Sequence, residues 1–222
     1  MNSSFTATRT PKAVLATNKV IRNTYTLLSV TLLFSALTAG LALVFRMPFM
    51  GPLITLGGYF ALLFLTSKFR NSSLGLVCVF ALTGFMGLTL GPLVGYYLSA
   101  FSNGSELVMM ALGGTGIIFL GLSGYALTTR KDFSFMGGFL MVGILVAFVA
   151  GIGGAIFAIP GLMLAVSSMF VLLMAGLILY QTSQLVHGGE TNYIMATVTL
   201  YLTIYNLFTS LLHLLGAFGG DD

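Results

Sequence analysis

Seven continuous apolar stretches, each near the 20 or so residues that a helix needs to cross about 30 Å of hydrocarbon, decide what this chain can fold into. They run approximately over 23–45, 50–66, 75–99, 107–128, 134–158, 162–180 and 193–217. Only 6% of the 222 residues are charged, too few to clothe a water-soluble body of this size. Strands of an outer-membrane barrel would alternate apolar and polar residues, whereas these runs are unbroken. The sequence therefore predicts an all-α, polytopic membrane protein with seven transmembrane helices and no separate soluble catalytic domain.

The polar remainder orients the bundle. Residues 1–22, rich in Ser, Thr and Asn and carrying Arg9, Lys12, Lys19 and Arg22, read as a disordered tail; residues 218–222, ending Asp221-Asp222, read as a short tail at the other end. The first apolar run is too long for a signal peptide and lacks a small-residue cleavage site, so it is expected to stay as an anchor. Loops on one side hold those four cations together with Lys68, Arg70, Arg130 and Lys131, and the other side holds Arg46 alone. By the positive-inside rule the amino terminus is cytoplasmic and, with seven spans, the carboxyl terminus is periplasmic, in a bacterial inner membrane. The formal net charge of +4 then reports orientation rather than nucleic-acid binding. Cys78 is the single cysteine, which excludes an intramolecular disulfide and a cysteine-based metal cluster. No metal or other cofactor is expected.

Two spans carry small residues at every fourth position: Gly87, Gly91 and Gly95 in the third, and Gly143, Ala147, Gly151 and Ala155 in the fifth. Such faces let helix backbones approach closely enough for van der Waals contact to hold them together. Pro92, beside Gly91, is expected to kink the third helix. The last span places Thr199, Thr203, Asn206, Ser210 and His213 at spacings of four, three, four and three, on one helical face. Polar side chains in hydrocarbon turn inward, either to bond neighbouring helices or to line a wet path, here opposed by Gln181 and Gln184 at the end of the sixth span. The stripe holds no carboxylate, although calcium sites and proton relays normally use them.

Two patterns invite an enzymatic reading and fail on geometry. Gly121-Leu122-Ser123-Gly124 has the G-x-S-G form of an intramembrane serine protease, with His213 as an imaginable base. Ser123 lies roughly 9 Å inside one face and His213 near the other, a gap of order 15 Å or more at 1.5 Å per residue, where hydrogen-bond distance is required. His187-Gly188-Gly189-Glu190 offers two metal ligands on a Gly-Gly turn rather than at helical spacing, and reads as a turn. No catalytic residue is expected. The charged cytoplasmic cluster Arg130-Lys131-Asp132 is the candidate docking site.

Two long segments carry a resemblance: Thr128 to Phe139 (TTRKDFSFMGGF), and Gly189-Glu190-Thr191-Asn192-Tyr193-Ile194 with Leu200 to Phe208 (LYLTIYNLF). With Thr83-Gly84-Phe85, Gly91-Pro92 and Gly113-Gly114-Thr115, the sequence resembles the Bax inhibitor family, also called the transmembrane Bax inhibitor motif family, from about residue 20 onward. The resemblance implies seven helices, in agreement with the count above. It implies one of two activities. One branch binds a membrane-bound AAA protease of the FtsH type, is itself a substrate, and restrains attack on other membrane proteins. The other comprises pH-dependent calcium leak channels with a pair of acidic residues on the sixth and seventh helices. The positions matching that pair are Gln181 and Thr203, neither acidic, so the protease branch is the expected function and a cation leak the alternative.

Overall fold

The computed structural model describes residues 11–219, with side chains from residue 15 on. Its helices are α1 (Pro11–Val44), α2 (Pro52–Phe69), α3 (Ser73–Ala100), α4 (Gly104–Thr129), α5 (Gly137–Ile156), α6 (Pro160–His187) and α7 (Tyr193–Gly219), with a single 3-10 turn, Ser134–Met136, leading into α5. All seven, α1 counted from Leu15, are long and apolar enough to span a membrane, and no strand occurs among the described residues. The chain is an all-α, seven-helix membrane protein.

Three boundaries correct the sequence reading. Helix α1 starts at Pro11, so residues 11–22 are helical rather than part of a disordered tail; proline suits a first helical turn, and Val20 and Ile21 pack against the core. Residues 1–10 of that tail, and residues 220–222 of the other, lie outside the described residues, and α7 itself runs on to Gly219. Helix α6 continues past residue 180 to His187, because Gln181, Thr182, Ser183, Leu185 and Val186 are buried against neighbouring helices. Their polarity looked like a loop, yet it is spent inside the bundle.

Loop contacts sort the termini into two faces. Asn192 Nδ2 donates to Arg70 O at 3.0 Å, Phe133 N donates to Ser183 Oγ at 3.0 Å, and Thr17, Arg130 and His187 border one cavity, so the α2–α3, α4–α5 and α6–α7 loops share a face with the start of α1. This is the basic face. On the opposite face Asn103 Nδ2 donates to Gly219 O, and Arg46 borders the same cavity as Ser99. Helix α7 occupies the centre, in contact with α1, α3, α4 and α6, while α2 leans chiefly on α3 and α5 on α6.

The tightest seam joins α1 to α3. A β-carbon on Gly87 would strike Thr38 Oγ1 and the carbonyl of Ser35, and one on Gly91 would strike Ala42 and come within 2.8 Å of Ala39 O. Gly95 meets only the Leu43 side chain, at 3.1 Å. Helix α3 runs through Pro92 without a break. In α5, Gly143 and Gly151 face Leu173 and Val166 of α6, and Ala147 is fully buried. Ala155 is exposed, against the expected stripe, and Gly154 takes its place against Met163. The cause is helical drift: each step of four residues overshoots a full turn by about 40°, so three steps carry a stripe roughly 120° away from where it began.

Ala158 ends α5 with φ 50, and the bonds Phe157 N to Gly153 O and Ile159 N to Gly154 O close the turn around it. A side chain is strained in this left-handed conformation, which glycine adopts freely. Ala158→Gly is expected to raise stability by about 1 kcal/mol, read as a higher melting temperature in detergent; a lower one would mean that the Ala158 methyl packs usefully.

Candidate functional site

The polar stripe of α7 divides between two cavities. On the basic side Gln181 and Gln184 of α6, Thr199 of α7 and Glu190 of the α6–α7 loop border a cavity of about 190 Å³. On the far side Asn206, Ser210 and His213, with Thr209 and Ser167, border one of about 460 Å³ between α3, α5, α6 and α7. The two share no lining residue. Between them Gln181 Nε2 donates to Thr203 Oγ1 at 3.2 Å, and Thr203 in turn lies 2.8 Å from the carbonyl of Thr199, to which it donates. Thr203 is 1% exposed and Gln181 8%. A neutral amide–hydroxyl bridge thus separates the two cavities, flanked by the fully buried Ile178 and Leu207.

Three of the remaining stripe residues have partners. Thr199 is exposed and donates to Met195 O, Asn206 Nδ2 donates to Leu202 O, and His213 Nδ1 pairs with Ser167 Oγ at 2.7 Å. Ser167 went unnoticed in the sequence, since one serine in an apolar helix carries no pattern. The bundle also holds a polar cluster that the sequence reading missed. Tyr201 Oη, 1% exposed, bonds Ser35 Oγ at 2.6 Å and donates to Thr83 O at 3.2 Å, tying α7 to α1 and α3 at once. Tyr205 pairs with Thr89 at 3.2 Å. The available signal was a phenol in mid-span, which needs a partner where no water reaches.

Ser123 and His213 are not brought together. Ser123 is buried 3.5 Å from Thr182 Oγ1, while His213 sits with Ser167 in the far-side cavity. Among the described residues no group of three or more His, Cys, Asp or Glu side chains is placed to hold a metal. His187-Gly188-Gly189-Glu190 closes α6: Gly188 has φ 75, and Gly189 N donates to Gln184 O at 2.8 Å.

The basic face is knitted together by its loops. Asn192 caps α7, its Oδ1 accepting from Met195 N at 3.0 Å, while its Nδ2 donates to Arg70 O and, at 2.8 Å, to Asn71 Oδ1. Glu190 Oε1 accepts from Asn192 N at 2.7 Å. Next to it, Ser183 Oγ donates to Lys131 O at 3.3 Å and accepts from Phe133 N, which pins the backbone of the α4–α5 loop and leaves the side chains of Arg130, Lys131 and Asp132 exposed. Asp132 accepts from Ser134 N at 2.8 Å, and this bond, aided by the nearby His187, holds its carboxyl below the usual carboxylate range.

The family model described as "Inhibitor of apoptosis-promoting Bax1" matches residues 17–220. The chain belongs to the Bax inhibitor family. It is 50% identical over 204 residues, 92% of each chain, to a protein of Escherichia coli strain K12 named modulator of FtsH protease YccA. It is 52% identical over 203 residues, 91% of each chain, to an uncharacterized protein of Pseudomonas aeruginosa, and 44% identical over 219 residues, 98% of each, to an uncharacterized membrane protein of Vibrio cholerae. Of these three relatives of a Bax inhibitor family chain, one is named as a modulator and one as a membrane protein.

Two of the family-like segments build the basic face. Gly189 to Ile194 contains the Asn192 clamp, and Thr128 to Phe139 contains the pinned α4–α5 loop. Asn192→Ala removes the cap and both tethers to the α2–α3 loop. It is expected to cost about 1–2 kcal/mol and to raise amide exchange at residues 70–73; unchanged exchange there would mean that the loops are held by packing alone.

Proposed function

We propose that this protein binds and restrains a membrane-bound AAA quality-control protease of the FtsH type, without catalysis of its own, in the bacterial inner membrane with its amino terminus and basic face in the cytoplasm. The reading is carried by the 50% identity, over 92% of each chain, to a relative named as a modulator of that protease. The positive-inside rule supports the orientation, since Lys68, Arg70, Arg130 and Lys131 all lie on the face where α1 begins.

A AAA protease grips a polypeptide end and pulls. The segment ahead of Pro11 is polar in sequence and offers such an end, and the seven-helix body resists being drawn after it. Arg130, Lys131 and Asp132, exposed on a pinned backbone, offer a fixed charged patch for docking. A protein gripped but slow to unravel occupies the protease and spares other substrates.

The test is co-purification from native inner membranes in mild detergent, beside a form lacking residues 2–10. The full chain is expected to bring the protease with it, and the shortened form to accumulate with at least a twofold longer half-life in cells. Recovery of no protease with either form would overturn the proposal, while an unchanged half-life would remove the amino-terminal grip. A cation leak is the second reading, favoured by the two cavities that approach Gln181 and Thr203 from opposite faces.

A further inference from the structure

A third cavity, of about 300 Å³, opens on the basic face where α1 begins and α4 and α6 end, and it shares only Arg130 with the proposed docking patch. Its floor is apolar, formed by Ile21, Leu127 and Val186, and its rim is polar, formed by Thr17, Asn18 and Arg130, with His187 beside them. Leu127 lies one turn inside Arg130 on α4, so the floor sits at the level of the last membrane-embedded turn and the rim at that of the lipid headgroups.

The electrostatics of this pocket favour an anion. Helix carboxyl ends normally repel anions through their unpaired carbonyls. Here some are occupied: Arg130 N donates to Ala126 O at the end of α4, and Gly188 N and Gly189 N donate to Leu185 O and Gln184 O at the end of α6. Asp132 is held on Ser134 N and Glu190 on Asn192 N, so neither carboxylate is drawn onto Arg130. Arg130 is exposed, and among the described residues no carboxylate pairs with it. Lys131 follows it on the same loop. Arg22 stands one turn along α1 from Asn18, on the same side of that helix.

We propose that this pocket binds the glycerol-phosphate headgroup of an anionic phospholipid. Arg130 holds the phosphate through its planar fork, Thr17 and Asn18 hydrogen-bond the headgroup, and one acyl chain lies over Ile21, Leu127 and Val186. An amphipathic rim-and-floor pocket between helices at the basic face fits a lipid, which carries both halves, better than a soluble anion.

The test is native mass spectrometry of the purified full chain with phosphatidylglycerol and phosphatidylcholine in equal amounts, repeated with inorganic phosphate in tenfold excess over lipid. Arg130→Asn is the variant and Arg46→Asn its control: both arginines stand in the left-handed conformation, at φ 50 and φ 48, which asparagine tolerates, and Arg46 lies on the opposite face. The native chain is expected to retain phosphatidylglycerol at least fivefold over phosphatidylcholine, with no displacement by phosphate. Arg130→Asn should lower that preference at least threefold, and Arg46→Asn should leave it intact. Equal retention of the two lipids, equal loss in both variants, or displacement by inorganic phosphate would each overturn the proposal.

Discussion

Gly87→Val is expected to abolish accumulation of the folded protein, or to lower its stability in detergent by about 3 kcal/mol or more. The added side chain has nowhere to go, because the β-carbon alone would meet Thr38 Oγ1 and the Ser35 carbonyl, and its distance to Ser35 C would be 3.0 Å. A backbone cannot swing aside as a flexible side chain can, so α1 and α3 must part along the seam that also contains Gly91. Separation would also break the bond between Ser35 and Tyr201. Gly57→Val, where nothing lies within 4 Å, is the control and should melt like the native chain. Equal melting temperatures for the two variants would show that the seam is looser than its geometry.

Thr203→Asp is the second substitution with a large expected effect. Thr203 is 1% exposed and its hydroxyl both accepts from Gln181 and donates to Thr199 O. A carboxylate there is buried with an amide for company and no cation, which costs roughly 3 kcal/mol at neutral pH. Proteoliposomes of the variant are expected to remain tight to cations. Cation flux from the variant would show that water reaches Thr203 between the two cavities, and would move the weight from protease modulation to the leak reading.

What the sequence disclosed follows from which physical terms are local. Span number came from unbroken apolarity, which the bilayer imposes on every lipid-facing turn. The α7 stripe was legible because Thr199, Thr203, Asn206, Ser210 and His213 repeat at helical spacing, yet its division into two cavities was not, since that depends on where α6 crosses. Gln181 and Thr203 were paired only through family resemblance. Nothing local revealed that Gln181 to His187 stays helical, because burial of Gln181, Thr182 and Ser183 is decided by partners such as Tyr25, Ser123 and Phe133. Ala155 was misassigned for a geometric reason, the drift of a four-residue repeat, and Gly154 at the seven-residue spacing from Ala147 was the better choice. Pro11 was a readable helix start, overlooked among the Ser, Thr and Asn residues around it.

The placement of α1 governs how the molecule comes apart under load. Tension applied at its amino-terminal end reaches the glycine seam with α3 and the Tyr201–Ser35 link to α7 before it reaches any peripheral element. The strongest joints are therefore strained first, and α2 and α5, each leaning chiefly on one neighbour, are strained last. Tension from the other end of the chain draws on α7, which touches α1, α3, α4 and α6 together. Neither end offers a weak element to peel away, so unravelling resembles the breaking of a knotless clamp in one slow event more than the unzipping of a row of helices.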